Sequence, residues 1–492
     1  MQSICRSRST CGNRPFSLPE TATRNVLSVF SPMSRSSNAL NASERRAVVS
    51  LALIFALRML GLFMILPVLS VFARDMPEST PALAGLAMGI YGLTQAILQI
   101  PFGYFSDRVG RKRVITIGLV IFMLGSIVAA LADTIYGVIA GRALQGAGAI
   151  AAAVLALAAD LTREQQRTKA TATIGASIGV AFLAALMLAP VLEGWIGVAG
   201  IFWITAGLPA LMLPVLWWWT PDPVRVRRDA DVVFNRALFG RILRHPQLIR
   251  FDLGIFALHL SLTSFFVVVP LQLVDTAGLP SNAHWKIYVP VLVLSVVGML
   301  PLLIHAHRKN RYRETMAIAI ALMVLAELAF GTLPAGIWTI AGGLWLYFVG
   351  FNALEAMLPS LISRVAPAGT KGTVLGVYNT FEFAGIFVGG LLGGWAYGAF
   401  GAAGAYLLTA VVLGAWLVLV LTAPNPKLLN SITLVWSSPA GSEADRLLAR
   451  LTALPGVEDG TAVVAEGLVY LKVDPGSFDP ASVDRFENLS LA

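Results

Sequence analysis

The stretch 103–113, GYFSDRVGRKR, places four cationic side chains and one carboxylate between two long apolar runs. A short charged turn in such surroundings is typical of a loop that joins two membrane-spanning helices. The composition agrees, because 57% of the 492 residues are hydrophobic and only 13% are charged. Soluble domains carry roughly 25% charged residues. The sequence therefore predicts an all-α polytopic membrane protein.

Twelve apolar runs are each long enough to cross a bilayer as a helix, which takes about 20 residues. We number them spans 1 to 12 and predict them at 47–73, 82–106, 113–132, 135–160, 169–193, 197–219, 250–273, 284–305, 314–333, 336–363, 372–399 and 402–423.

The polar segment 221–249 separates two halves of six spans, 47–220 and 250–424. The segments 168–171 (TKAT) and 370–373 (TKGT) follow spans 4 and 10, at equivalent places. This indicates two six-helix pseudo-repeats about an axis along the membrane normal.

Basic residues are distributed unequally between the two sides of the predicted membrane body. The loops that follow spans 2, 4, 6, 8 and 10 hold twenty Lys or Arg, whereas the loops on the other side hold two, Arg74 and Lys286. We call the first side the basic face. Positive loops face the cytoplasm, so both termini are predicted to be cytoplasmic. Trp217, Trp218 and Trp219 then form an aromatic anchor at the cytoplasmic interface.

The N-terminal stretch 1–46 is Ser- and Arg-rich and is predicted to be a disordered tail. Met33 provides a second start site, so we expect residues 1–32 to be a mis-called extension. Both cysteines, Cys5 and Cys11, lie in this stretch. The body therefore has no disulfide framework or cysteine-built metal centre, and we predict no metal and no cofactor. The net charge of +9 falls in short clusters between apolar runs, which argues against nucleic-acid binding.

Ionisable residues inside a membrane are costly and usually face a cavity or an opposite charge. The candidate cavity residues are Arg58, Arg142, Gln145, His259, Asn352, Glu355 and Glu382. At about 1.5 Å per residue, Arg58, His259 and Glu355 lie roughly 12–17 Å from the cytoplasmic ends of their helices, so we expect one shared chamber. Two explanations stay open for Arg58 and Glu355: mutual neutralisation, or a role in transport. His259 either bonds Ser261 or Thr263, or binds a ligand or proton.

The body resembles the major facilitator superfamily over residues 45–425. The loop signature G-x-x-x-D-R-x-G-R-K is carried by Gly103, Asp107, Arg108, Gly110, Arg111 and Lys112. The segment 142–146, RALQG, resembles the span-4 motif of proton-coupled antiporters, where the arginine is tied to proton movement. Gly175, Gly179 and Pro190 resemble the span-5 antiporter motif, although Ala189 replaces a glycine. With its small C-terminal domain, the chain is similar to the YajR-type branch of bacterial inner-membrane transporters.

The resemblance implies a role for the opening stretch in the conformational cycle. Asp107 ends span 2, where the helix dipole disfavours a carboxylate, so it needs a positive partner. The family offers the N-terminus of span 11, near 370–373. Gly103 then allows close backbone approach and Gly110 a tight turn. We predict a latch that holds the basic face closed while the transporter faces outward, with Arg111, Lys112 and Arg113 serving as topology anchors.

The tail 430–492 reads as a small soluble α+β domain. A strand at 432–436, a helix from 442, strands at 461–467 and 468–474 and a helix at 479–488 give the start of a ferredoxin-like unit. Only SLA remains for a fourth strand, so the domain is either clipped or open at that edge. The pattern resembles heavy-metal-associated domains, but 437–443 (SSPAGSE) has no Cys or His to bind a soft metal. We expect a regulatory or self-association module at the cytoplasmic face.

The sequence therefore favours a secondary active transporter of the bacterial inner membrane, coupling proton movement to efflux of an unidentified small molecule. A proton symporter or facilitator for a small metabolite is the alternative, and a transport-inactive sensor signalling through the tail is a third. No G-x-x-x-x-G-K-[ST] sequence occurs, which argues against ATP as the driving force. No nucleophile and base can be placed together, so an enzyme is not predicted. Its partners would be the substrate, protons and the lipid bilayer.

Overall fold

The computed structural model describes residues 40–222, 240, 242–334, 336–426, 428–437, 443–464, 467–486 and 489–491. The predicted disordered tail and second start site lie outside the described residues, apart from the last few positions of the tail. Most of the central loop 221–249 also lies outside them.

The first half contains spans 1 to 6. They are Ala42–Phe63 with Leu69–Arg74 (span 1), Pro81–Val109 (span 2), Arg111–Ala130 (span 3), Ile135–Ala147 with Ala151–Asp160 (span 4), and Glu164–Pro214 with the π-helical turn Val215–Trp219 (spans 5 and 6). Span 1 begins five residues before its predicted start. Asn41 caps it by accepting from the Glu44 backbone N–H, and the Glu44 carboxylate accepts from the Asn41 N–H. This capping box stabilises a polar first turn of the helix, which a prediction from hydropathy alone leaves out of the span.

The second half repeats this arrangement. It comprises Pro246–Asp275 (span 7), Trp285–Lys309 (span 8) after the 3-10 turn Ser281–Ala283, Tyr312–Thr332 (span 9), Ile337–Val365 (span 10) and Lys371–Thr422 (spans 11 and 12). Within the described residues, ten helices are long and apolar enough to cross a membrane. Two of them hold two spans each, because the chain turns at Gly197 (φ 66°) and Gly401 (φ 70°). The twelve predicted spans are therefore confirmed as ten helices, two of them bent.

The two halves meet most closely at the face opposite the basic face. A Cβ placed on Gly85 of span 2 would lie 2.1 Å from the carbonyl oxygen of Gly390 in span 11, and one on Gly394 would lie 2.4 Å from the Pro81 oxygen. Small residues four apart on both helices permit this approach. Arg74 also pairs with Asp275 across the halves at 2.8 Å. This face is closed.

Spans 5 and 11 carry glycines near the basic face that do not pack against a neighbouring element. A Cβ added at Gly175 or Gly179 of span 5, or at Gly372 or Gly376 of span 11, would meet no atom within 4 Å. The two halves therefore diverge toward the basic face and enclose a cleft that opens there.

The tail folds as a four-stranded antiparallel sheet beside one helix. Its strands are β1 (Asn430–Trp436), β2 (Val457–Val463), β3 (Leu468–Val473) and β4 (Leu489–Leu491), in the order β2-β3-β1-β4, which is the ferredoxin-like arrangement. The helix is Ala444–Thr452, and its Leu451 packs in the core under Leu434, Trp436 and Leu471.

Three details of the predicted tail need correction. The fourth strand is present, because the three residues of β4 pair with Leu434–Trp436 and cover that edge. The predicted second helix at 479–488 is only a 3-10 segment, Pro480–Arg485. Strand β2 begins at Val457, four residues before the predicted start. The predicted helix start at 442 and the turn residue Glu466 lie outside the described residues.

Candidate functional site

Arg111, in the loop between spans 2 and 3, is a buried structural tie. It is 6% exposed and forms an ion pair with Asp107, and its Nε donates to the Asp160 carboxylate at 3.1 Å. A further bond from Nη1 reaches the Ser106 hydroxyl at 2.7 Å. The ends of spans 2 and 4 and the start of span 3 are thereby fastened together. This burial differs from the exposed position that we expect of a topology anchor.

Lys112 departs from the prediction in the same way. Its ammonium is buried, donates to the Thr220 carbonyl at 2.7 Å and pairs with Asp222 at 2.6 Å. It therefore binds the start of span 3 to the end of span 6. Arg113 is exposed, as an anchor requires. Arg108 lies outside this network and stacks on the Tyr104 ring at 4.3 Å.

The two glycines of the same loop differ from each other. Gly110 has a φ of 108°, which a side chain would strain, so the predicted tight turn is confirmed. A Cβ on Gly103 would meet Ala152 Cβ at 3.4 Å, an ordinary van der Waals distance, so the predicted close approach is absent there. The first turn of span 11 at Gly372 faces open space, and span 2 does not pack on it in this structure.

Two buried arginines organise the first half around Tyr91. Arg58 is fully buried, and its Nη2 donates to Gln95 Oε1 and to the Gly148 carbonyl, both at 2.9 Å. The predicted neutralising pair with Glu355 is therefore not formed. Two amide oxygens thus accept from Nη2, whereas Nε and Nη1 are buried without a hydrogen-bond partner among the described residues.

Arg142 also lies close to Tyr91. Its Nη1 donates to Gln145 Oε1 at 2.9 Å, and Gln145 donates in turn to the Ser126 hydroxyl at 2.8 Å. The two guanidinium carbons lie 5.9 Å (Arg58) and 5.1 Å (Arg142) from the centre of the Tyr91 ring. The edge of this ring contacts Phe383 of span 11, so the cationic network ends at the junction of the two halves.

The second half brings three predicted residues together. His259 Nε2 lies 3.6 Å from Glu382 Oε1 and 4.0 Å from Glu355 Oε2. Its other nitrogen, Nδ1, lies 3.3 Å from the Ile255 carbonyl, which can only accept. This contact is therefore a hydrogen bond in the tautomer that carries its proton on Nδ1, and Nε2 then faces the two carboxyl groups. We call His259, Glu355 and Glu382 the acid–histidine cluster.

The alternative hydrogen bond from the His259 ring to Ser261 or Thr263 is not formed. The Ser261 hydroxyl bonds to Tyr347 and to the Leu258 carbonyl, and Thr263 donates to the backbone oxygen of His259 rather than to its ring. The cluster faces the cleft, since the Glu355 and Glu382 side chains are 42% and 24% exposed.

Asn352 lies outside the cluster, although it is one turn from Glu355. Its amide donates to Ser295 of span 8 at 3.0 Å and thereby ties span 10 to span 8. Phe351, which precedes Asn352, contacts the His259 ring edge-on at 6.0 Å between centroids and stacks on Phe182 of span 5. Span 5 thus reaches the cluster through an aromatic contact.

Sequence reasoning missed Asp252 and Tyr378. Asp252 is 1% exposed and lies two turns before His259 on span 7, and Tyr378 lies one turn before Glu382 on span 11. The Asp252 Oδ1 and the Tyr378 hydroxyl have no hydrogen-bond partner among the described residues. A search of spans 7 and 11 for polar residues seven or four positions from the cluster would have found both.

The tail domain docks on the loop between spans 10 and 11. The Lys472 ammonium is 3% exposed and donates to the carbonyls of Ser363 and Arg364 in the last turn of span 10, at 3.2 and 3.3 Å. A cation at a helix C-terminus also complements the dipole. Asp459 accepts from the Ala368 backbone N–H at 2.9 Å. Burial lowers the pKa of Lys472 to about 8, and the charge of Lys371 adds to the lowering.

Metal ligation is not indicated in the part of the chain that the structure describes. It contains no group of three or more His, Cys, Asp or Glu residues arranged to hold a metal ion.

Comparisons with known proteins agree with this architecture. A family model described as Major Facilitator Superfamily matches residues 51–390 and 252–452. The chain is 42% identical over 434 residues to the inner membrane transport protein YajR of Escherichia coli strain K12, covering 88% of this chain and 94% of the relative. It is 25% identical over 354 residues to the multidrug resistance protein MdtH of Yersinia enterocolitica, covering 69% and 83%.

A solved structure also resembles the fold. A bacterial homologue of the human lysosomal transporter Spinster, in an inward-facing and occupied conformation, superposes with a TM-score of 0.64 at 15% identity. The match covers 78% of this chain and 97% of that one.

Proposed function

This chain belongs to the major facilitator superfamily of transporters, and we propose that it is a proton-coupled exporter of a small molecule that works by alternating access. The relatives support this, because one is named an inner membrane transport protein and another a multidrug resistance protein. We place the chain in a bacterial inner membrane with the basic face in the cytoplasm. The cleft described above is then open to the cytoplasm, which is the loading state of an exporter.

The observation that carries the proposal is the acid–histidine cluster. One imidazole nitrogen faces two carboxyl groups within 4.0 Å, at the point where spans 7, 10 and 11 converge on the cleft. Two carboxylates that face one neutral imidazole repel each other, so a proton bound within the cluster is favoured. The cluster therefore exchanges protons in a cavity that the substrate also enters, which is what coupling requires.

The loop between spans 2 and 3 supplies the conformational part of the proposal. In this state Arg111 holds Asp107 and Asp160 together within the first half, while the start of span 11 faces open space at Gly372. When the basic face closes, span 11 approaches the end of span 2 and its N-terminal dipole meets Asp107. Gly175 and Gly179, at which an added Cβ would meet no atom within 4 Å here, are available for packing in the same closed state, and Pro190 lies beyond them in span 5.

A regulatory role for the tail domain is supported by its docking on the loop between spans 10 and 11. That loop leads into span 11, which carries Glu382. The docking site therefore lies at one end of the helix that must move, so a signal read by the tail would reach the cluster without crossing to the other half.

The test begins with a comparison of exported metabolites and drug susceptibility between deletion and overexpression strains, which identifies a substrate. The purified protein in liposomes then receives that substrate under an imposed pH gradient, with a pH-sensitive dye inside. Substrate-dependent proton movement that Glu355→Gln abolishes supports the proposal. Glu314→Gln removes an exposed carboxylate of the same half and serves as the matched control.

The other outcomes separate the alternatives. Substrate movement without proton movement identifies a facilitator. Proton movement in the same direction as the substrate identifies a symporter. If none of the compounds identified in the strain comparison crosses the liposome membrane, the result contradicts transport and favours a sensor.

A further inference from the structure

A groove lies on the basic side of the second half, between the first turns of spans 7 and 9 and the last turn of span 12. It is a shallow depression that is open on one side, and the space of about 450 Å³ within it includes the solvent at its mouth. Its polar rim carries Arg250 and Arg313, and its walls include Phe251, Met316, Leu419 and Val420. The groove thus combines two cations with an apolar wall at the depth where three helices enter the membrane.

The two cations differ in their bonding. Arg313 donates from Nη1 to the Ala423 carbonyl at 2.9 Å, which fixes its side chain beside the end of span 12. Arg250 has no hydrogen bond or ion pair with any described residue. No acidic side chain is among the described residues that line the groove. Among the described residues, the two cations of the rim therefore have no acidic partner.

The surroundings show which environment the groove opens to. Leu253 of span 7, Ile318 of span 9 and Val418 and Leu421 of span 12 flank it, and they are 42%, 45%, 59% and 55% exposed. Apolar side chains exposed in a row on membrane-spanning helices contact lipid tails. The groove is therefore continuous with the lipid-facing surface rather than with the central cleft.

We propose that this groove binds one anionic phospholipid, with its phosphate between Arg250 and Arg313 and an acyl chain along Phe251, Met316 and Leu419. Basic pockets between helices on the cytoplasmic side are suited to anionic head groups, and bidentate arginine–phosphate contacts are strong. The far edge of the groove is formed by Pro424 and Pro426, in the linker to the tail domain. A bound lipid therefore holds the linker against the membrane body. This inference is independent of the transported substrate and of proton coupling.

The experiment is native mass spectrometry of the full chain, delipidated in detergent and titrated with phosphatidylglycerol or, separately, with phosphatidylcholine. Wild type is expected to retain one phosphatidylglycerol in preference to phosphatidylcholine. Each basic side chain near the surface contributes about a factor of five. The double variant Arg250→Gln, Arg313→Gln should therefore bind phosphatidylglycerol about thirtyfold more weakly and phosphatidylcholine unchanged.

Two further variants keep the result interpretable. Arg250→Gln alone, which breaks no side-chain bond to a described residue, should weaken phosphatidylglycerol binding about fivefold. Arg244→Ala removes an exposed arginine that does not line the groove and should behave as wild type. Equal binding of the two lipids by wild type, or an unchanged preference in Arg250→Gln, would overturn the proposal. So would displacement of the lipid by inorganic phosphate, because that outcome identifies a free-anion site.

Discussion

Replacing Gly85 by alanine is expected to open the face that is closed in this structure. The new Cβ would lie 2.1 Å from the Gly390 carbonyl oxygen and 2.8 Å from Gly394 Cα, both backbone atoms of span 11. Backbone atoms cannot rotate away as a side chain can, so the two helices must separate. Overpacking of this kind typically costs 1–3 kcal/mol, and about 2 kcal/mol of it would fall on the closed arrangement alone. That shifts the ratio of the two conformations about thirtyfold.

Cysteine labelling measures this shift. Ser70 is 2% exposed, and its hydroxyl donates to the Phe266 carbonyl across the junction of the halves. With Cys5 and Cys11 replaced by serine, Ser70→Cys provides one reporter, and an impermeant maleimide is added from the side opposite the basic face. Labelling should be slow in the parent protein and much faster in Gly85→Ala.

The control for this experiment is Gly207→Ala in span 6, where an added Cβ meets no atom within 4 Å. Gly394→Ala, which would place a Cβ 2.4 Å from the Pro81 oxygen, should reproduce the effect from the other helix. Identical labelling rates in Gly85→Ala, Gly394→Ala and Gly207→Ala, with all three proteins folded, would refute the reasoning.

Two other predictions concern buried cations. Arg111→Ala removes an ion-pair partner of the buried Asp160 and should lower the free energy of unfolding by about 3 kcal/mol. Arg113→Ala changes an exposed arginine of the same loop and should leave the free energy of unfolding unchanged. Thermal unfolding in detergent compares the two variants, and equal losses would contradict the structural role of Arg111. Because docking lowers the pKa of Lys472 from 10.5 to about 8, docking releases a proton between these values. The docked tail should therefore become harder to detach as the pH rises from 8 to 10 and show no change below 7. Hydrogen exchange of β3 measures this, and a Lys472→Met protein with the same pH dependence would exclude Lys472 as its source.

Hydropathy predicted the spans well because crossing a bilayer requires a long apolar run whatever the neighbouring helices do. It could not place the helix ends or breaks. Span 1 starts early because Asn41 and Glu44 satisfy its first backbone groups, and the interruption between Phe63 and Leu69 leaves the average hydropathy unchanged. Such features depend on individual hydrogen bonds, which composition does not record.

Candidate site residues were predictable one at a time and not as a set. His259, Glu355 and Glu382 are conspicuous because ionisable groups are rare in apolar runs. Their convergence, and the separation of Arg58 from them, depend on which helices are neighbours. Arg111 and Lys112 looked like surface cations because their acceptors, Asp160 and Thr220, are distant in sequence.

The turns at Gly197 and Gly401 have a mechanical consequence. Each joins two long helices through a single left-handed glycine, without a flexible loop between them. Because each junction is one residue long, we expect spans 5 and 6 to move together, and spans 11 and 12 likewise. Glu382 lies on span 11, which is joined through span 12 to the linker of the tail. A displacement of that linker at the membrane surface would therefore reach the Glu382 carboxylate through these two helices.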